Sequence, residues 1–158
     1  MDKISPCLWF DGQAEAAVDF YLKLFKDRSR LLRTLRWGEH GHGVPGSVLT
    51  LEFELAGRSY IALNGGPQYK FTPAVSLSID CADQAEVDRC WDALCDGGQP
   101  VQCGWLTDRF GLSWQVVPRQ LPELLRDPDP ARAGRAMQAM MGMVKLDIAA
   151  LQRAADGP

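Results

Sequence analysis

The feature that most restricts this chain is an internal echo. Two segments, 4–25 and 74–95, each open on an apolar run and an acidic residue. Each then passes through Gln-Ala-Glu, as Gln13-Ala14-Glu15 and again as Gln84-Ala85-Glu86, and continues with a helical pattern ending in aromatic and leucine positions. At the same offset Phe20 matches Trp91. Such self-similarity points to an internal duplication of a strand-helix unit.

The helix of the second copy is marked at both ends. Asp83 is placed to cap it, Glu86 follows three residues on as in a capping box, and Gly97-Gly98 closes it. Between them Val87, Cys90, Trp91 and Leu94 keep the i, i+3, i+4, i+7 spacing of a buried stripe. The first copy predicts a helix from Asp11 or Gly12, with Ala14, Ala17, Val18, Tyr21 and Phe25 on one face. Both stripes suit packing against a sheet.

Strands are predicted over 31–37, 47–55 and 58–64, the last two joined by the short Ala56-Gly57 turn of a hairpin. Gly65-Gly66-Pro67 stops that hairpin, and the stretch to Thr72-Pro73 reads as a linker. Beyond the second helix, 101–106 and 112–117 suggest two or three further strands, bent at Asp108-Arg109-Phe110-Gly111. The order is therefore βαβββ followed by βαββ(β), an α+β class: a first module over about 3–67, a second over about 73–118, and a helical tail over about 119–156, all within one domain, 1–158. In the tail, Asp129-Pro130 opens a helix with Met137, Met140, Met141 and Val144 along one stripe, Gly142 breaks it, and Asp147 caps a last helix through Leu151. The methionines read as core or dimer packing, with an adaptable binding surface as the alternative.

Composition narrows the function. With 158 residues, 46% apolar and 23% charged, the chain can bury a sizeable core. A net charge of −3 and a pI near 5.3 supply no broad positive field, so nucleic acid is not expected as a partner. No apolar run approaches the roughly 20 residues of a spanning helix, and the start carries no basic segment leading into one. The expectation is no membrane association and a cytoplasmic location, with the five cysteines as reduced thiols packed like small hydrophobes.

Few residues suggest chemistry. His40-Gly41-His42 is the one histidine cluster, but it sits in the Gly- and Pro-rich stretch 38–46 without a third ligand nearby, and reads as a solvated loop. No Gly-x-Gly-x-x-Gly follows a strand, and no Gly-x-x-x-x-Gly-Lys-Ser/Thr occurs, so nucleotide sites have no support and no cofactor is expected. A Cys-His nucleophile has only those two loop histidines to draw on. The dense stretch is 102–118, with Cys103, Trp105, Asp108, Arg109, Trp114 and Gln115. It fits a pocket with an aromatic wall and a few polar groups, and equally a strongly packed sheet corner.

At these residues the chain resembles the PhnB-like family of the vicinal-oxygen-chelate (glyoxalase/bleomycin-resistance/dioxygenase) superfamily, many of whose members carry the label demethylubiquinone methyltransferase. The resemblance runs from Ile4 to about Ala154. It rests on Pro6-Cys7-Leu8-Trp9-Phe10-Asp11, Phe20-Tyr21, Pro45-Gly46, Leu63-Asn64-Gly65-Gly66-Pro67, Glu86-Val87-Asp88 with Trp91, Cys103-Gly104-Trp105 through Gln115, and Lys145 with Asp147-Ile148. It implies paired βαβββ modules whose mixed sheets curl around a cavity, C-terminal helices beside them, and a homodimer.

In metal-using relatives one ligand comes from each of four strands. By the resemblance these positions fall at Pro6, at a residue within 60–64, at Ala74 and at Gln115, where Asp108, Gly111 and Gln115 follow the last strand's pattern with an amide in place of a glutamate. No metal site is expected from such a set. If Ala74 and Gln115 face the cavity, period two brings Ser76, Ser78, Ser113 and Val117 with them and turns Trp114 and Val116 to the helices. The ligand-contacting residues implied are Asn64, Ser76, Ser78, Cys103, Trp105, Ser113 and Gln115. The reading is a homodimer that binds a small organic molecule, with metal-independent chemistry or none and no assigned catalytic residue. Its rivals are a metal-dependent lyase, isomerase or dioxygenase of the superfamily and, last, the methyltransferase of the label.

Overall fold

The computed structural model describes residues 1–158 as two compact units, 1–71 and 72–158. The first unit contains β1 (Cys7–Phe10), α1 (Ala14–Leu24), β2 (Arg30–Arg36), β3 (Val48–Leu55) and β4 (Arg58–Asn64). Its sheet runs β1-β4-β3-β2, with β1 parallel to β4 and the other pairs antiparallel. Alternation decides the faces. Leu51, Phe53 and Leu55 are buried while Thr50, Glu52 and Glu54 are not, and α1 lays Ala14, Ala17, Val18 and Tyr21 against β3 and β4. Phe53 stacks on its cross-strand neighbour Tyr60 with ring centroids 5.6 Å apart. Each large apolar side chain so buried contributes about 1.5–3 kcal/mol.

α1 begins at Ala14, later than the predicted Asp11 or Gly12, because Gly12 has φ +78° and ends the preceding chain in a left-handed turn. The N-cap residue Gln13 makes no side-chain cap. The cap comes from β4 instead: Asn64 Oδ1 accepts from Ala14 N at 2.9 Å, while Asn64 Nδ2 donates to Val48 O at 3.1 Å. Phe25 stands past the helix end as its C-cap. The segment after β4 folds back on β1, where Trp9 Nε1 donates to Gly66 O at 2.8 Å and its ring lies where a Cβ at Gly65 would stand. Tyr69 and Phe71 then meet Trp9 and Phe10 edge to face.

The second unit repeats the plan with β5 (Ser76–Cys81), α2 (Gln84–Cys95), β6 (Gln99–Pro100), β7 (Trp105–Thr107) and β8 (Ser113–Pro118), in the sheet order β5-β8-β7-β6. β5 and β8 are parallel, as β1 and β4 are, so the two sheets have the same topology. The echo of the two Gln-Ala-Glu motifs is a true structural repeat, and the α+β reading holds. The strand predicted over 101–106 is not continuous: β6 pairs only at Gln99–Pro100, before that range, and β7 begins at Trp105, because Pro100 has no N–H to give the ladder and Cys103 and Gly104 take φ of +61° and +82°. Asp83 caps α2 by accepting from Glu86 N at 2.9 Å, and Glu86 reaches back to Ala82 N at 2.7 Å, one residue earlier than in a regular capping box. Val87, Cys90, Trp91 and Leu94 are buried. The hydrogen bond with the adjoining Cys90 thiol, and after it burial, pushes the Cys81 thiol up.

The tail forms α3 (Gln120–Leu125), α4 (Pro130–Met141) and α5 (Ile148–Asp156), around a small core of Leu121, Leu124, Ala136, Leu146, Leu151 and Ala155. α3 has no counterpart in the predicted elements, and α5 runs beyond Leu151 to Asp156. Asp129 and Asp147 cap α4 and α5 as expected, and α4 stops at Gly142. No helix is long and apolar enough to cross a membrane.

Candidate ligand site

The tail is joined to the second sheet at the point where that sheet is irregular. Cys103 N donates to Met143 O at 2.9 Å and Gly104 N to Val144 O at 2.8 Å, so the chain after α4 pairs with the bulged backbone between β6 and β7. Only glycine serves at 104: a Cβ there would meet the Leu146 side chain and Val116 O within about 3 Å, and φ is positive. Gln84 holds the other side, donating from Nε2 to Leu146 O at 3.0 Å and accepting Ile148 N on Oε1 at 2.8 Å. Lys145 Nζ pairs with Asp88 at 2.9 Å. The two copies of Gln-Ala-Glu thus do different work, since Gln84 pins the tail while Gln13 makes no cap.

Held in this way, the tail covers part of the sheet and forms one side of an open cleft of about 280 Å³. The sheet wall is Cys103, Trp105, Gln115 and Val117, and the helical wall is Leu121, Pro122 and Leu125 of α3 with Met140 of α4. Trp105 and Gln115 are direct cross-strand partners. Gln115 Nε2 donates to Ser76 Oγ at 3.0 Å, a diagonal contact between β8 and β5 that fixes the amide and leaves its second N–H as a donor and Oε1 as an acceptor for a ligand.

Among the residues expected to contact a ligand, the structure brings Cys103, Trp105 and Gln115 to this cavity and sets Ser76 behind Gln115. Ser78 is opposite Gln115 in the ladder but exposed, and Ser113 is buried opposite Ser76. Asn64 belongs to the first unit, and its amide is occupied at both ends by the α1 cap and Val48. Trp114 and Val116 are buried beneath α2, on the opposite face from Gln115. Sequence reasoning missed the whole helical wall. Met140 carried a signal, as part of a methionine stripe, but α3 carried none.

A broader depression of about 480 Å³ lies where α2 and α5 begin. Its polar groups are largely spoken for: Asp83 and Asp147 cap their own helices and Gln84 holds the tail. Gln120 Oε1, also there, is the single buried side-chain nitrogen or oxygen atom without a hydrogen-bond partner.

The positions expected from the resemblance to hold a metal carry few donors. Pro6 offers no side-chain donor and its carbonyl accepts from Ile61 N at 2.9 Å. Ala74 lies in an exposed turn before β5, Gln115 is a neutral amide bonded to Ser76, and β4 from Tyr60 to Asn64 holds no carboxylate or histidine. This donor set does not fit a divalent transition metal. Asp108, the one carboxylate of the pattern, is buried and accepts three N–H groups of its own turn and strand. His40 and His42 are exposed in the turn between β2 and β3, where the ring of Trp37 covers Gly41 and Gly43.

Comparison with known proteins places this architecture. The sequence model of the family described as 3-demethylubiquinone-9 3-methyltransferase matches residues 2–117. The chain belongs to that family. Among solved structures it is similar to a Bacillus cereus PhnB protein, described as a putative 3-demethylubiquinone-9 3-methyltransferase, at 33% identity and a TM-score of 0.66, over 72% of this chain and 97% of that one. A Pseudomonas aeruginosa protein matches at 22% identity and a TM-score of 0.59, over 72% and 95% of the two chains. A glyoxylase/bleomycin resistance protein/dioxygenase domain from Frankia matches at 14% identity and a TM-score of 0.41, over 72% and 89%. No curated protein matches the sequence. The fold is therefore shared with the Bacillus cereus PhnB protein, and the family match ends before α3.

Proposed function

We propose that this PhnB-like chain binds a small organic molecule in the cavity between the second sheet and the tail, without a divalent metal. Gln115 is its hydrogen-bonding group, Ser76 orients that amide, and Cys103 and Trp105 form the adjoining wall. The observation that carries the reading is the Gln115 amide, fixed by one bond to Ser76 and facing a mainly apolar cleft. Methyl transfer rests on the family's description alone, because the chain has no glycine-rich loop between a strand and a helix for a nucleotide-like donor. The same reading takes the chain as a cytoplasmic homodimer, supported by the exposed Leu31 and Leu35 of β2 and Met137 and Met141 of α4.

A thermal-shift screen of small metabolites against the wild-type protein and Met140→Trp tests the site, since a ligand of the native state raises apparent stability by mass action. Compounds that stabilise the wild type and lose their effect in the filled variant support it. Compounds that stabilise both proteins equally would place binding elsewhere.

A further inference from the structure

The family match stops at residue 117, and the Bacillus cereus relative is covered almost entirely by 72% of this chain. Leu121, Pro122, Leu125 and Met140 all come after that point, so half of the cavity's wall is built by chain outside the shared fold. The tail has its own core and caps, and it is fastened to the sheet through Cys103, Gly104, Gln84 and Asp88.

We propose that the tail is the specificity element of this protein, and that it selects a small, uncharged and mainly apolar molecule bearing one hydrogen-bonding oxygen or N–H group. This rests on the cavity being the ligand site. The wall residues carry no lysine, arginine, histidine or carboxylate. A charged ligand would give up part of its hydration to this cleft without gaining a charged partner, which is costly. A neutral one gives apolar surface to Trp105, Leu121, Leu125 and Met140 and a single polar group to the Gln115 amide, where a carbonyl oxygen meets the Nε2 proton that Ser76 does not take and an N–H meets Oε1. The volume, near the lower end of the roughly 300–1,000 Å³ usual for ligand pockets, favours a single ring with a short substituent.

The test uses three probes of one shape and different charge: acetophenone, benzoate and benzylammonium. Dissociation constants come from ligand-observed NMR with the full chain. The rate of Cys103 alkylation by iodoacetamide, followed by peptide mass mapping, reports occupancy of this cavity. Acetophenone is expected to bind at least ~10-fold more tightly than either ion, to slow alkylation of Cys103, and to lose at least ~10-fold in affinity in Leu125→Trp and in Met140→Trp. Both positions are half-buried, and whichever variant keeps the wild-type circular dichroism spectrum is the one read. An ion that binds as tightly as acetophenone and protects Cys103 would overturn the selectivity while leaving the site standing. Acetophenone binding that protects Cys103 but survives both tryptophan variants would overturn the role of the tail. If no probe protects Cys103, the site itself is wrong and this inference falls with it.

Discussion

The indole Nε1 of Trp114 donates to Oδ2 of Asp108 across 2.8 Å in the interior of the second unit. The other carboxylate oxygen accepts Phe110 N at 2.8 Å and Leu112 N at 3.1 Å, and Gly111, at φ +89°, returns its N–H to Asp108 O at 2.9 Å. One acidic side chain thus shapes the bend between β7 and β8 and sets the direction in which β8 leaves it. The Asp-Gly-Gln spacing at 108, 111 and 115 is a turn followed by an inward-facing strand position.

Asp108→Ala removes the acceptor of three N–H groups, those of Leu112 and Trp114 buried and that of Phe110 partly so, and the expected loss is about 3 kcal/mol of unfolding free energy. Asp108→Asn keeps one acceptor oxygen but sets an NH2 against a donor, for a loss of about 2 kcal/mol. Urea unfolding measures both. An alanine variant within about 0.5 kcal/mol of wild type would mean that the turn does not depend on this carboxylate.

Asn64 is placed for a structural task. Replacing it with alanine removes the acceptor that caps α1 and the donor to Val48, and should cost about 1–2 kcal/mol. Hydrogen exchange reads the location of the damage: amides at the start of α1, Ala14 to Ala17, should exchange faster, with those of α2 unchanged. Uniform acceleration across both helices would argue against a local cap.

Asp88 makes stability depend on acid. Its carboxyl is held below the usual carboxylate range, first by the Gln84 amide donating at 3.0 Å and then by Lys145 at 2.9 Å. A group whose folded pKa is depressed stabilises above its unfolded value, near 3.9 for aspartate, and that contribution fades as pH falls through the folded value. The difference in unfolding free energy between wild type and Asp88→Asn should therefore be present at neutral pH and shrink below about pH 4. A difference that grows toward acid would reverse the assignment. Because Gln84 and Lys145 also hold the tail, faster exchange of amides in α5 should accompany the variant.

Where local chemistry decides the structure, the sequence was readable. The two Gln-Ala-Glu motifs revealed the repeat, Asp83 and Asp147 declared their helices, and strand alternation set the buried faces of β3 and β8. α3 was hidden because it is six residues long, contains Pro122 and has at its N-cap Arg119, which makes no side-chain cap. The helical wall of the cavity was hidden for a different reason. It depends on backbone pairing of Cys103 and Gly104 with Met143 and Val144, and no residue type marks such a contact. The wall formed by Trp105 and Gln115 was legible because period-two geometry and the family resemblance converge there, whereas the methionine stripe was legible only as packing.

Metal content separates the proposed function from its enzymatic rival. The positions at Pro6, Ala74 and Gln115 supply a ring, a methyl and an amide already bonded to Ser76, and no group of three or more histidine, cysteine, aspartate or glutamate side chains gathers to hold an ion. His40 and His42 add two exposed imidazoles on a turn, and two ligands fall short of the three or four that zinc takes from a protein. Protein purified without a histidine tag should therefore carry far less than one equivalent of zinc, iron or nickel by elemental analysis. Near-stoichiometric metal would defeat the metal-free reading. Its loss in a His40→Ala, His42→Ala double variant would then locate the ion at the turn covered by Trp37, and its retention would mean that ligands come from side chains to which the family pattern assigns no role.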